Sequence, residues 1–345
     1  MTTMQRVTVI VPCRNERRYI GAFAASALAQ QLPPGWELEI VVADGMSDDG
    51  TREALRQIAD GDARLRCVDN PARIVAAGLN RALAASSGEV VVRMDVHTEY
   101  APDYVAACLQ VLAETGADNV GGPWRAEADA NGGAMQAAVA AAFQSRWVAG
   151  GALSRRLDYD GPADTVYLGA WPRQAFERFG SFDEALVRNQ DDEHNLRILR
   201  GGGSIWQSSR IRSAYRPRAR LAQVFRQYLQ YGYWKPFVMK KHGQAAQWRH
   251  VVPALFVVAL VVLGVVALAG FGPWPLYALA ACYVAAITAM TVGASRRAGL
   301  AARAVCCVPA VIATYHVSYG IGSILGAFDT VFARAGRARF GRMTR

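Results

Sequence analysis

Asp95 and His97 stand two residues apart in Met94-Asp-Val-His97, directly after a short β-branched run. Alternate side chains of an extended segment point the same way, so this carboxylate and imidazole can converge on one divalent cation, an arrangement suited to bridging a diphosphate. Each also has a plainer use: Asp95 as a cap for a helix beginning near Pro102, and His97 as a hydrogen-bonded loop residue. Arg14-Asn-Glu16 and Asp44, with the turn Gly45-Met-Ser-Asp-Asp-Gly50, follow two other apolar runs. Asp44 has its own alternative as a turn residue, a part that Ser47, Asp48 or Asp49 can play equally well. Further along lie Asp191, Asp192 and Glu193. Three adjacent acids raise one another's pKa, as a general base requires, yet they also answer the dipole of a helix over 191–200.

The pattern around these residues predicts what positions them. Strand-like runs at 7–11, 39–43, 65–68 and 90–94 alternate with helical spacing at 17–30, 51–60, 74–86 and 102–115. That alternation predicts βαβ units in an α/β fold with a mostly parallel sheet, and such sheets collect ligands at the strand carboxyl ends, where these polar residues fall. The first strand is followed by no phosphate-binding glycine fingerprint of the dinucleotide or Walker kind, which argues against a nicotinamide dehydrogenase or a P-loop enzyme.

Taken together, Val7-Thr-Val-Ile-Val-Pro-Cys-Arg-Asn-Glu16, Val41-Val-Ala-Asp-Gly-Met-Ser-Asp-Asp-Gly-Thr51, Met94-Asp-Val-His97, Gly180-Ser-Phe-Asp-Glu184 and Gln190-Asp-Asp-Glu-His-Asn-Leu-Arg197 resemble, in order and spacing, the family 2 inverting glycosyltransferases of the GT-A fold. The resemblance covers about residues 5–240, and Arg93-Met-Asp-Val-His97 with Asn189-Gln-Asp-Asp-Glu-His-Asn195 is most similar to exopolysaccharide glucosyltransferases of the succinoglycan type. It implies a nucleotide pocket lined by Pro12, Arg14, Glu16, Asp44, Arg93 and Asp95, with Asp44 accepting from the base. It implies a divalent metal, Mg or Mn, on Asp95 and His97, where His97 replaces the second acid of the family's Asp-Xaa-Asp. It implies Asp191 as the base that deprotonates the acceptor, with Asp192 or Glu193 as substitutes, on an acceptor floor of Gly169, Ala170 and Trp171. Trp171 is equally readable as core.

The resemblance further implies a UDP-sugar donor carrying a hexose, glucose by likeness, and an acceptor hydroxyl on a polyprenyl-diphosphate-linked glycan in surface polysaccharide synthesis. A polyprenyl-phosphate sugar synthase, or a non-catalytic nucleotide-binding scaffold at a membrane, is the alternative reading. In the family the stretch after the transferase domain closes over the site, which makes Trp234 and Lys235 candidates to meet the diphosphate or the acceptor; interfacial anchoring explains them as well.

Charge and hydropathy predict where such a domain works. Of 345 residues with a net charge of +10, residues 1–205 carry −7, residues 206–250 carry +10 and residues 251–345 carry +7. No charged residue occurs between Val251 and Ser295, and the run is broken by Phe271-Gly-Pro-Trp-Pro275. Segments 251–270 and 275–294 each rise about 30 Å as helices, the thickness of a bilayer core, and predict a transmembrane hairpin. Lys240, Lys241, Arg249, Arg296 and Arg297 flank it on one side, and Trp248, Trp274 and Tyr277 sit at its interfaces. The positive-inside rule makes the basic side cytoplasmic, in the cell's inner (plasma) membrane. A third uncharged stretch, 304–328, contains His316 and three glycines; a re-entrant or interfacial helix followed by the basic tail 329–345 is favoured over a third span.

The resulting organisation is a cytosolic domain at 1–215, a basic and aromatic juxtamembrane segment at 216–250 and membrane segments at 251–328. The interleaved cations and aromatics of 206–250 also suit single-stranded nucleic acid, but the acidic domain repels phosphates, so lipid headgroups are the expected partner and nucleic acid is not. Val7 to Val11 is too short for the apolar core of a signal peptide, and the six cysteines show no ligand spacing and read as reduced. Homo-oligomerisation stays open.

Overall fold

The computed structural model describes residues 4–148, 150–243 and 248–332, with the side chains of Trp248 and Arg249 excepted. The chain packs as two units: Met1–Arg125 with Leu153–Tyr215, and Ala126–Ala152 with Arg216–Arg345.

The first unit is built from β1 (Gln5–Cys13), α1 (Ile20–Leu28), β2 (Trp36–Asp44), α2 (Thr51–Gly61), β3 (Leu65–Asp69), α3 (Val75–Ala85), β4 (Val90–Arg93), β5 (Thr98–Tyr100), α4 (Tyr104–Thr115) and β6 (Asn119–Gly122). The chain then passes through α5 (Ala134–Gln144) of the second unit. It returns as β7 (Gly161–Pro162), β8 (Tyr167–Pro172), α6 (Arg173–Phe179), α7 (Gln190–Arg200), β9 (Ile205–Gln207) and β10 (Ser213–Tyr215). Eight strands form one sheet in the order β3-β2-β1-β4-β8-β6-β9-β7, while β10 pairs with β5 apart from it. β1 to β4 are mutually parallel; β8 runs antiparallel between β4 and β6.

Strand β1 is apolar without alternation because both of its faces are covered. Val7, Val9 and Val11 pack towards Ile20, Phe23, Leu55 and Tyr104, whereas Ile10 and Val41 pack towards Leu79, Phe176 and Ile198. The parallel register of β1 with β2 sets Cys13 beside Asp44, and that of β1 with β4 sets Ile10 beside Arg93. The strand carboxyl ends, and the polar residues after them, therefore come together at one edge of the sheet.

The second unit contains α5, α8 (Leu221–His242), α9 (Trp248–Val266) with a π-helical turn at Ala267–Phe271, α10 (Trp274–Ala298), α11 (Ala302–Val305) and α12 (Val308–Val331). Three of its segments, His250–Phe271, Trp274–Ala298 and Ala302–Val331, are long and apolar enough to cross a membrane. Residues 126–152 were expected in the cytosolic domain but pack with these helices. Small apolar residues of α5, Ala138, Val139 and Ala142, bury in one cluster with Ile287, Ala294, Val308 and Ile312. The arginines of the 333–345 tail lie outside the described residues.

The bend inside β8 depends on a residue without a side chain. Gly169 has φ +103°, and a Cβ there would lie 2.5 Å from the Trp171 ring and 2.8 Å from the Asn119 amide oxygen. Gly169→Ala should lower stability by about 1–3 kcal/mol through backbone strain and overpacking, read as an earlier thermal unfolding transition of the solubilised chain; an unchanged midpoint contradicts this.

Candidate active site

Arg93 ends β4 with its side chain almost wholly buried, 7% exposed, and Asp95 follows at 17%. The guanidinium forks onto that carboxylate, Nε donating to Oδ1 at 3.0 Å and Nη2 to Oδ2 at 3.1 Å. Its remaining nitrogen, Nη1, makes no hydrogen bond and lies 3.9 Å from Oδ2 of Asp191, on the first turn of α7. One cation thus stands between two carboxylates nearly a hundred residues apart in sequence. Burial opposes the charge on Arg93, and the Asp95 and Asp191 carboxylates more than offset it, so its pKa stays above the ordinary arginine value.

Asp191 experiences the opposite balance. Loss of surrounding water and the neighbouring Asp192 charge raise its pKa above the ordinary aspartate value, while Arg93 pulls the other way. Its side chain is nevertheless 42% exposed, so the carboxylate remains reachable. Oδ1 of Asp191 accepts the Asp192 backbone N–H at 2.9 Å, which leaves Oδ2 towards Arg93.

The loop after β4 is fastened at Asp95. The Tyr100 hydroxyl accepts its backbone N–H at 2.6 Å and donates to its carbonyl at 3.1 Å. Next in the loop, His97 is half exposed and brings Nδ1 to 3.7 Å from Oε1 of Glu16, whose side chain is 6% exposed. The pair joins the ends of β4 and β1.

The turns after β1 and β2 are laced together. Asn15 adopts φ +54°, and its N–H donates to Ser47 Oγ at 2.8 Å while its Oδ1 accepts the Asp48 N–H at 3.1 Å. The Glu16 N–H donates to Thr51 Oγ1 at 2.8 Å and the Arg17 N–H to Asp49 Oδ2 at 3.1 Å. Asp44 is fully buried; its carboxylate accepts the Ser47 N–H and hydroxyl and lies 3.4 Å from Arg52. Asp44 therefore shapes this turn, one of the two parts its position allowed. Arg14 packs over Gly45, where an added Cβ would come within 3.0 Å of it, and Pro12 pairs with Ala43 at the strand ends.

Four further expected residues, Ala170, Trp171, Glu193 and Trp234, have side chains inside the fold. Ala170 and Trp171 are 0% and 1% exposed because β8 is bonded on both edges and covered on both faces. The Trp171 ring lies 5.5–5.9 Å from Phe176, Phe182 and His194, so Trp171 supports the site from the core and does not line it; Gly169 contributes backbone alone. Glu193 is also wholly buried, and Arg197 grips both its oxygens at 2.9–3.1 Å. That engagement makes Glu193 a brace for α7 and removes it as a substitute base. Trp234 and Lys235 lie on α8 of the second unit, where Trp234 is 2% exposed and packs on Tyr233 and Phe237.

Sequence reasoning passed over His194 and Arg197. Burial, and after it the Arg197 charge, depress the His194 pKa to about 4, so it is a neutral ring stacked on Phe176 and bonded through Nε2 to the Gly180 carbonyl at 2.9 Å. The Glu193–Arg197 spacing of i, i+4 was the available signal. Among the described residues no three His, Cys, Asp or Glu side chains gather as a ready metal cage.

Residues 8–172 match the model of the glycosyl transferase family 2 domain. The chain is 32% identical over 250 residues to the succinoglycan biosynthesis protein ExoA of Rhizobium meliloti, covering 71% of this chain and 73% of that protein. It is 20% identical over 268 residues to a Methanococcus voltae dolichyl N-acetyl-alpha-D-glucosaminyl phosphate 3-beta-D-2,3-diacetamido-2,3-dideoxy-beta-D-glucuronosyltransferase, covering 75% and 82%. Among solved structures, the mannosyltransferase PcManGT of Pyrobaculum calidifontis, in complex with GDP-Man and Mn2+, shares the fold at a TM-score of 0.57 and 21% identity, covering 92% of this chain and 86% of that one. The chain belongs to glycosyl transferase family 2 and is a nucleotide-sugar-dependent glycosyltransferase of GT-A fold.

Arg93→Gln leaves Asp95 and Asp191 without the cation between them. The two carboxylates left behind are partly solvated, so losing the fork should cost about 1–3 kcal/mol; the variant should unfold earlier on heating than the wild type, and Arg93→Lys, which lacks the fork, should restore only part of the loss. Equal stability of Arg93→Gln and wild type would overturn this account.

Proposed function

We propose that this chain transfers a hexose, glucose by its resemblance, from a UDP-sugar to a hydroxyl of a polyprenyl-diphosphate-linked glycan, with inversion at the sugar, during surface polysaccharide assembly. The observation that carries this reading is the guanidinium of Arg93, forked onto Asp95 and 3.9 Å from Asp191. It ties a residue expected at the donor diphosphate to one expected at the acceptor. The name of the Rhizobium relative supports the pathway, and the uncharged run from Val251 to Ser295 supports a lipid-linked acceptor.

In the proposed reaction Asp191 removes the proton from the acceptor hydroxyl while that oxygen attacks the anomeric carbon from the face opposite the nucleoside diphosphate. The bond from the anomeric carbon to the diphosphate oxygen breaks, and that oxygen leaves with the electron pair. The raised pKa of Asp191 improves the base, and its exposure lets an acceptor reach it. Asp192 keeps the local charge negative, Glu193 and Arg197 hold the start of α7 in place, and Arg93 limits how far Asp191 can swing.

The donor set fits a divalent ion. Asp95 and His97 offer one carboxylate and one imidazole without a third protein ligand, and ions such as Mg or Mn at such sites complete their shell with water and substrate phosphate. When bound, the ion supplies neutralisation of the departing diphosphate. The Mn2+ in the Pyrobaculum mannosyltransferase supports this assignment. Arg14, on the turn after β1, is the cation proposed to meet the same diphosphate, with Pro12 and Glu16 beside it, and Asp44 fixes the turn proposed to lie beneath the base.

We place the enzyme in the inner (plasma) membrane through α9 and α10, with the α/β unit cytoplasmic. The cations at 240–241 and 296–297 flank the hairpin on one side, as the positive-inside rule requires of a cytoplasmic face.

A donor screen against membrane extracts, read by mass for a lipid-linked hexose, tests the reaction. Asp191→Asn should lower turnover about 10²–10⁴-fold with donor binding nearly unchanged. Retained turnover removes Asp191 as base and favours transfer to a polyprenyl phosphate, an acceptor already anionic. Because a base works deprotonated, activity should fall as pH drops through a value above that of an ordinary aspartate. Asp192→Asn removes a charge that raises this pKa, so the acidic limb should move to lower pH; a limb that stays or rises contradicts the assignment.

A further inference from the structure

We infer that α12, though long and apolar enough to cross a membrane, does not cross it, and lies along the lipid surface on the side from which α9 enters. The inference rests on the membrane placement proposed for α9 and α10.

Both ends of α12 are held on that side. At its C-terminal end the Lys240 ammonium donates to the Thr330 carbonyl, and the Tyr233 hydroxyl donates to Asp329 Oδ2 at 2.7 Å. Lys240 and Tyr233 belong to α8, which ends at His242, only a few residues before α9 begins. With Arg226, Lys235, Lys240 and Lys241 along its length, α8 is not among the segments apolar enough to span. At the N-terminal end Val308, Val311, Ile312 and Tyr315 bury in one cluster with Ile287 and Ala294 of α10 and with α5. Those residues lie in the half of α10 that leads to Arg296 and Arg297, the end that a hairpin returns to the side of α9 entry.

Contact along the whole helix agrees. α12 follows α8 over nearly its full length: Tyr315 stacks on Tyr228 at 4.0 Å, and glycines let the backbones touch farther on. A Cβ on Gly322 would lie 2.1 Å from the Leu229 carbonyl oxygen, one on Gly326 2.1 Å from that of Tyr233, and one on Gly232 2.2 Å from that of Tyr319. Its glycine contact with α9 is at Pro253, near the entry, where a Cβ on Gly320 would lie 2.3 Å from the carbonyl oxygen. Beyond that point Val258, Val261, Val262, Val265 and Leu268 of α9 are exposed, and the buried residues of α10 are confined to 287–295. A third span packs along a hairpin through the bilayer; α12 meets the half nearer the flanking cations, reaching Val257 of α9 and Tyr283 of α10, whose hydroxyl shares a hydrogen bond with His316 Nδ1 at 3.1 Å, and leaves the far half uncovered.

The outer surface of α12 suits lipid. Phe328, Val331 and Phe332 are 47%, 74% and 59% exposed, the two rings pack tilted at 4.4 Å, and Lys240 and Lys241 lie on the adjoining last turn of α8. Aromatic and aliphatic groups beside cations match the boundary between acyl chains and anionic headgroups. On this reading the sole acid of residues 251–345, Asp329, stays out of the hydrocarbon.

The test uses the full chain with one protease-cleavable tag before Met1 and another after Arg345. Both tags should be cut in inverted membrane vesicles and both protected in right-side-out vesicles. Protection of the two tags in opposite preparations shows three crossings and overturns the inference while leaving the membrane reading intact. Release of the chain by alkaline carbonate overturns the membrane reading itself, and the inference with it. In a second measurement, Phe328→p-benzoylphenylalanine should photocrosslink to phospholipid, as the same change at Leu255 of α9 should; crosslinks from position 328 to protein alone overturn the lipid contact.

Discussion

A guanidinium buried at the end of a strand must find negative charge, and Arg93 finds two carboxylates from different parts of the chain. Much of the site follows from that requirement. The fork onto Asp95 fixes the loop after β4, a loop that Tyr100 then ties through both backbone groups of Asp95. The approach to Asp191 joins this loop to the first turn of α7, which the chain enters through Asn189 in the left-handed region at φ +60°. One shared counter-charge keeps Asp95 and Asp191 close; it pulls the Asp191 pKa down, and lost water and the Asp192 charge more than offset that pull.

The parallel sheet makes this meeting possible. Register alone places Asp44 beside Cys13 and Arg93 beside Ile10, so three strand ends deliver their loops to one edge. The antiparallel strand β8 then closes that edge from the other side, and its sharp turn at Leu168 and Gly169 brings Trp171 under α7. Rigid aromatic packing of Trp171, Phe176, Phe182 and a neutral His194 beneath the acidic turn keeps the charged groups above it from relaxing apart. Catalysis by preorganised charge depends on such support.

In the helical unit the governing constraint is backbone proximity. Glycines at 232, 322 and 326 bring α8 and α12 close enough that any side chain at these positions would meet a carbonyl. A helix bearing cations along its length and an apolar helix are thereby bound to a common depth, and hydropathy summed over one helix does not report that coupling. The same logic explains α5: its alanines have no strong preference of their own, and they are recruited by the apolar ends of α10 and α12.

The sequence by itself determined the α/β class, the first four strands and the helices between them, because apolar period and β-branching are local properties that the sheet only confirms. It determined the polar residues at the strand ends, and the three apolar segments of the tail, for the same reason. Tertiary structure alone decided which acid keeps its freedom. Asp191, Asp192 and Glu193 are adjacent acids among which resemblance alone put Asp191 first, but successive residues of a helix point about 100° apart, so Asp191 meets Arg93 while Glu193 turns inward to Arg197. It also decided that Trp171 is core, since the central place of β8 in the sheet depends on strands about 50 and 80 residues away and the cover over Trp171 comes from Phe176, Phe182 and His194. It decided, finally, that 126–152 leaves the α/β unit, because the surface that receives α5 is assembled from helices more than a hundred residues further along the chain.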